Sequence, residues 1–318
     1  MLKFGLYTDT HLIGIGPEKR IDDYPKNILA KIRECYSEFK KHDAEFAVFA
    51  GDMFDSHRIY SYDTINELLD IMEDFGKKTY FIMGQHDLYG YSKDTYPKST
   101  LRFVEKRSRG LFELVVDNVE LDNCIIHASH VYDKVAERLS SIEKSDKFQI
   151  TLVHELLNNK TAMFDVVATN DLPDNNVDLV LSGDLHDGYD FHEIGGTSYY
   201  NPGSIARTKN SKSNRKKNVK CGLFTVDKQS DGFHIDLKEV ELTSMLSAEE
   251  VFKKDMLEDI DENYSINVDE FVKEIEELDV ETIEIFELVM IVGKQTNVDE
   301  SLMDYIMKFR SEPDEQSE

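Results

Sequence analysis

From Met1 to about Glu241, short apolar runs alternate with stretches in which apolar residues return every third or fourth position. The short runs predict strands at 4–8, 45–50, 79–83, 124–127, 149–153 and 177–182. Helical spacing runs through Ile28, Ile32, Cys35, Tyr36 and Phe39, predicting a helix over 24–41. It returns through Ile65, Leu68, Leu69, Met72 and Phe75, predicting a second over 63–75. Residues 222–227 and 233–240 read as a hairpin around 228–232. Alternating strands and helices imply a layered α/β domain, and the late β-rich part implies a second sheet packed on the first.

Beyond Leu242 the pattern changes. Residues 242–318 hold 23 acidic and 6 basic residues in a chain of net charge −26. The expected division is therefore 1–241 for the α/β domain and 242–318 for an acidic, mostly helical C-terminal region. Helical patches lie at 248–257, 268–278, 282–291 and 300–309, with a frayed tail from about 311. Helices this short need something to pack on. No apolar run approaches the ~18 residues of a membrane span. The chain opens directly on a strand pattern without a signal peptide. The three cysteines, Cys35, Cys124 and Cys221, lack metal spacing and read as buried small hydrophobes in a reducing compartment. A cytoplasmic protein without a membrane partner is the expectation.

Candidate chemistry sits where the predicted strands end. Asp9-Thr10-His11, Gly51-Asp52-Met53-Phe54-Asp55, Gly84-Gln85-His86-Asp87, His154-Glu155 and Gly183-Asp184-Leu185-His186 each break an apolar run. Layered α/β folds place their sites at strand C-termini. One Asp-x-His is usually a turn, and one histidine is usually a hydrogen-bonded structural residue. Five such clusters in order supply carboxylates, imidazoles and an amide, which suit divalent Mn, Fe or Zn and exclude a sulfur site.

On these motifs the chain resembles the calcineurin-like metallophosphoesterases, and within them the SbcD-type DNA repair nucleases, particularly short phage-encoded forms. The resemblance covers roughly residues 1–240 and includes the turn Asn201-Pro202-Gly203-Ser204. It implies a metallophosphoesterase β-sandwich flanked by helices, with the acidic helical region as an extension. It implies two divalent ions, Mn first, with Fe, Zn or Mg as alternatives. Asp9, His11 and His186 would hold one ion, Asp52 would bridge, and Gln85, His154 and Asp184 would hold the other. His86 would be the general acid, with Asp87 orienting it. Two positions depart from the family pattern: Gln85 stands for Asn and Asp184 for His. The implied partners are DNA and an SbcC-type coiled-coil ATPase, with a homodimer left open. If the chain is phage-encoded, its compartment is the host cytoplasm. The chain has no phosphate-binding loop of its own: Gly293-Lys294-Gln295-Thr296 lacks the required glycines.

Beside these motifs, Arg207, Lys209, Lys212, Arg215, Lys216, Lys217 and Lys220 fall within fourteen residues that contain no acid. They read as a solvated loop, either merely solubilising or a clamp on a nucleic-acid backbone. A second basic stretch holds Arg102, Lys106, Arg107 and Arg109. His57 could reach a substrate or be a solvated turn residue. His127 and His130 read as structural, and His192 and His234 as strand surface residues. Tyr60, Tyr62, Tyr89, Tyr91 and Tyr96 could stack on bases, with half-buried packing expected for most. The alternatives to a nuclease are a weakened or non-catalytic scaffold on the same fold and a small-molecule phosphoesterase.

Overall fold

A computed structural model of the chain describes residues 1–253, apart from 18–19, 91, 160–165, 209 and 231. In chain order the elements begin β1 (Leu2–Tyr7), α1 (Tyr24–Lys41), β2 (Phe46–Phe49), α2 (Tyr62–Phe75), β3 (Thr79–Phe81), α3 (Thr100–Arg107) and β4 (Phe112–Leu114). Then follow β5 (Asn118–Glu120), β6 (Cys124–Ser129), α4 (Val135–Ser140), β7 (Phe148–His154), β8 (Leu157–Asn158), β9 (Val167–Ala168) and β10 (Leu179–Gly183). The series ends with β11 (Tyr189–Ile194), β12 (Thr197–Asn201), α5 (Lys212–Lys216), β13 (Lys220–Gln229), β14 (Gly232–Glu241) and α6 (Ala248–Val251).

Two six-stranded mixed sheets form the α/β framework, in the orders β14-β13-β1-β2-β3-β4 and β11-β12-β10-β7-β6-β5. In the first, β1 to β4 run parallel and β13 pairs antiparallel with β1. In the second, β6, β7, β10 and β12 run parallel between antiparallel edges. Strand alternation explains the layering. Leu2, Phe4 and Leu6 of β1 pack with Phe46 and Val48, and join Ile126, Ile150, Leu152, Leu179 and Leu181 of the second sheet in one core. Tyr7, Phe49 and Phe81 belong to the other core, where the apolar stripes of α1 and α2 lie. A third cluster, with Val135, Leu139, Val180 and Tyr199, includes α4.

The expected helices at 24–41 and 63–75 correspond to α1 and α2, and the 222–240 hairpin to β13 and β14 paired in full register. Asp23 accepts from the Lys26 amide at the start of α1, and left-handed Gly76 ends α2. Composition changes at Leu242, yet packing continues past it. The Glu34 carboxylate accepts the backbone and hydroxyl groups of Thr243 and Ser244. Phe252 is fully buried under the guanidinium of Arg20. The expected helices at 268–278, 282–291 and 300–309, and Gly293–Thr296, lie outside the described residues. Among the described residues, no helix is long and apolar enough to cross a membrane.

Candidate metal centre

The parallel strands deliver their C-terminal loops to one edge of the sandwich. Asp9 and His11 follow β1, Asp52 follows β2, Gln85 and His86 follow β3, His154 ends β7, and Asp184 and His186 follow β10. Each turn leaves its strand abruptly. Asp9, His11, Asp52 and Asp184 hold φ of +50°, +42°, +56° and +71°, four of the seven non-glycine residues in that region among the described residues. Such backbone is costly and persists where surrounding bonds over-determine it. Here the Asp9 amide donates to the Gly51 carbonyl and the His11 amide to the Asp52 carbonyl. Two glycines let the loops close. A Cβ at Gly51 would lie 2.3 Å from His154 Nδ1, and one at Gly84 would lie 2.1 Å from Asp52 Oδ1.

Among the described residues, candidate ligand atoms converge in three groups, each with its atoms within 4.8 Å of one another: Asp9, His11 and His186; Asp9, Asp52 and His154; His11, Asp52 and His86. Asp52 carries two different oxygens. Its Oδ1 accepts the His86 amide at 2.9 Å, while Oδ2 has no hydrogen-bond partner although the side chain is fully buried. Oδ2 lies 3.5 Å from His154 Nε2 and 3.8 Å from His11 Nε2. His154 Nδ1 is 2.6 Å from the Ala50 carbonyl, so Nδ1 carries the proton and Nε2 turns its lone pair into the cluster, also unpartnered. The Nε2 atoms of His11 and His186 face each other at 2.9 Å. Gln85 Oε1 is a further buried atom without a donor.

Charge confirms the crowding. Burial pushes the Asp9 carboxyl up to about 6 despite the nearby imidazoles of His154 and His11. Burial also opposes the charge on Asp52, but His154 and His11 outweigh it and hold that carboxyl below its ordinary value. Burial, then His11 and Lys217, press His186 down to about 3. Asp52 Oδ2 and His154 Nε2 meet in this cluster without hydrogen-bond partners, as cation ligands would. The donor set of Asp9, His11, Asp52, His154 and His186 is consistent with two divalent metal ions. All the donors are nitrogen or oxygen, with no sulfur.

Two expected roles change partners. Asp184 joins none of the three groups. Its Oδ1 accepts from Gln85 Nε2 at 2.7 Å, and its amide faces the Asp9 carboxylate. Asp87 does not orient the His86 ring. It is fully buried and accepts the amides of Phe54, Gly84 and Met53, because three backbone donors face it beneath the loop. Burial, then Asp52, push its carboxyl up to about 7. The residue that holds the exposed His86 ring is Asp55, whose carbonyl lies 3.1 Å from His86 Nδ1. Asp55 Oδ1 also lies 3.3 Å from His11 Nδ1, close enough for an ion pair though poorly aligned for a hydrogen bond. The motif quoted around Asp52 contains Asp55, but only the structure gives it these contacts. Ser204, in the Asn201–Ser204 turn, donates to the Asp9 carbonyl.

The basic segment is not one solvated loop. Arg207 is 1% exposed, lies over the Phe252 ring and donates to the Leu246 carbonyl. Lys217 donates to the carbonyl of His186. Arg215 pairs with Glu249, and Lys220 of β13 pairs with Glu239 of β14. Among the described side chains of the segment, Lys216 is the one plainly exposed. Lys212 lies at the start of α5, and Lys209 lies outside the described residues. These partners come from the His186 loop, β14 and 242–253, distant in sequence, so local composition could not reveal them. Arg102 likewise pairs with Glu105, and Arg109 with Glu73. His127 and His130 are structural, bonded to Gln149 and to the Val116 carbonyl.

Residues 2–188 match the sequence model of the calcineurin-like phosphoesterases. Among solved structures, a dimetal phosphatase from Danio rerio is similar with 12% identity and a TM-score of 0.49, over 76% of this chain and 98% of that one. GAP50 of Plasmodium, described as the anchor in the inner membrane complex, is similar with 12% identity and a TM-score of 0.47, over 82% of this chain and 92% of that one. No curated protein matches the chain.

Proposed function

Because the chain belongs to the calcineurin-like phosphoesterase family, we propose that it is a two-metal phosphodiesterase that cleaves DNA. In this reading it is an SbcD-type nuclease acting in repair, recombination or replication beside an SbcC-type coiled-coil ATPase. The observation that carries the metal chemistry is the meeting of Asp52 Oδ2 and His154 Nε2, 3.5 Å apart, both buried and unpartnered. Asp9, His11 and His186 would hold one ion, His154 and Gln85 the other, and Asp52 both. A bound metal pair supplies an activated water and neutralises charge on the phosphoryl oxygens. Manganese fits these donors well, since imidazole, carboxylate and amide together suit borderline-to-hard ions.

The chain's own contribution is positioning and proton transfer. His86 stands exposed at the edge of the cluster, with Nδ1 turned to the Asp55 carbonyl. Its Nε2 is left to deliver a proton to the departing oxygen, a task for which imidazole is suited near neutral pH. Lys216, exposed and next in sequence to the Lys217 that bonds the His186 carbonyl, would favour a polyanionic substrate. The scaffold reading draws on Asp184, whose carboxylate is engaged by Gln85. Purified protein with Mn²⁺ and end-labelled single- and double-stranded DNA separates the two. Metal-dependent cleavage is expected. An absence of cleavage with Mn²⁺, Fe²⁺, Zn²⁺ and Mg²⁺ alike would leave the scaffold.

A further inference from the structure

Next to the metal cluster, on the side of His86, a cleft of about 370 Å³ opens to solvent. Its volume falls within the ~300–1,000 Å³ usual for small-molecule sites. Asp55, His57, Gln85, His86, Leu88 and Tyr89 line it. The candidate proton donor and a candidate ligand therefore share a wall with an aromatic pair. The rings of His57 and Tyr89 lie 4.9 Å apart, tilted by 49°. Their backbones are pinned: the Tyr89 amide donates to Thr95 Oγ1, and the His57 carbonyl accepts the Thr100 amide. Tyr89 as a whole is 64% exposed. Half-buried packing was the expectation for most of these tyrosines, and it holds for Tyr96, which is 7% exposed and bonded to Glu105. It fails for Tyr89, and also for Tyr60 and Tyr62 along the same segment as His57, which are 77% and 74% exposed.

Apolar ring surface that faces water is stabilised when a ligand covers it. Its position says what does. The group that leaves a phosphorus atom at the metal cluster departs toward the residue that protonates it, and His86 faces this cleft. We infer that the cleft holds the leaving nucleotide, with its base stacked on the open face of Tyr89 and His57 backing the other side. The rings stand too close for a base to enter between them, so one face of Tyr89 is the platform. This inference rests on the nucleic-acid phosphodiesterase reading and adds the site that would select a nucleotide over an alkyl leaving group. Stacking on tyrosine tolerates any base, so it gives nucleotide recognition without sequence preference.

The test uses full-length protein and a dinucleotide carrying 2-aminopurine, whose fluorescence falls when it stacks. Wild type should quench it saturably. Tyr89→Phe keeps the platform and should bind like wild type. Tyr89→Ala should bind about 5- to 150-fold more weakly, the range that base–aromatic stacking commands. Because the ring is exposed, its loss should leave the melting temperature unchanged. Equal quenching by Tyr89→Ala and wild type, or none by wild type, would overturn the inference. The fluorescence readout needs no turnover. A wild type that quenches through Tyr89 yet cleaves no phosphodiester would remove the nuclease reading and leave the stacking site. A wild type that cleaves DNA and binds the dinucleotide without needing Tyr89 would do the reverse.

Discussion

Gln85 Nε2 donates to Asp184 Oδ1 across 2.7 Å, joining the two positions at which this chain departs from the family pattern. A carboxylate only accepts, so the bond fixes which way the amide faces. Gln85 Oε1 is thereby turned away from Asp184, and it is buried without a donor. The longer amide and the carboxylate form one unit, with Asp184 positioning Gln85. Asp184→Ala should weaken the second Mn²⁺ by about 10- to 100-fold, as loss of such supporting bonds does, and leave the first unchanged. Calorimetric titration resolves the two steps. Identical titrations would show that the pairing has no bearing on metal binding.

His86 separates chemistry from binding. Its ring stands exposed beside the cluster, held by the Asp55 carbonyl. His86→Ala should retain DNA binding and at least the first metal while turnover falls by ~10²–10⁴-fold, the usual contribution of a general acid. Single-turnover cleavage beside a gel-shift titration measures both. Cleavage at the wild-type rate would assign the proton to another group.

The basic segment should divide by burial. Lys216→Gln should change stability by under ~0.5 kcal/mol, since the side chain is exposed. It should flatten the salt dependence of DNA binding by ~0.7–0.9 log units if it contacts one phosphate. Arg207→Gln should instead destabilise by roughly 1–3 kcal/mol, because it removes a buried charged donor and its aromatic stacking. Lys217→Gln should slow hydrolysis of a small chromogenic phosphodiester as well as DNA, since Lys217 bonds the His186 carbonyl. Equal effects of all three on DNA binding alone would restore a uniform outer clamp.

Lys31 gives stability a pH signature. It is fully buried in α1 with Nζ 2.9 Å from the Ile205 carbonyl. Burial, then Arg207 and Arg20, push its amine down from 10.5 to about 7. Between those values the unfolded chain holds a proton that the folded chain has released, so stability from this group rises with pH from about 7 to about 10.5. The slope is at most ~1.4 kcal/mol per pH unit. Lys31→Met should lose that component, so its advantage over wild type should be largest at pH 7 and shrink by pH 9. Urea unfolding at pH 7, 8 and 9 reads the difference. Parallel pH profiles for the two proteins would contradict it.

The ligand-bearing loops were legible because each follows a buried strand whose apolar run stops at a charged residue. That pattern survives without long-range information, and it places Asp9, His11, Asp52, Gln85, His154 and His186 together. Short edge elements carried little pattern. β4 and β5 have three residues each, and β11 mixes exposed and half-buried positions. Side-chain partners were less visible still. The bond from Gln85 to Asp184 spans 99 positions, and Arg207 meets Phe252 in a segment whose composition suggested a separate region. Exposure of Tyr89 could not be read either, since tyrosine is as common in a half-buried wall as on a platform.

The most direct test is the Mn²⁺ stoichiometry of wild type and Asp52→Ala by equilibrium calorimetry. Asp52 offers a buried, unpartnered Oδ2 within 4 Å of both His11 and His154. Two ions per chain in wild type, and loss of both in a folded Asp52→Ala, is the predicted result. No bound Mn²⁺, Fe²⁺ or Zn²⁺ in wild type, or two Mn²⁺ ions still bound in Asp52→Ala, would contradict the two-metal centre.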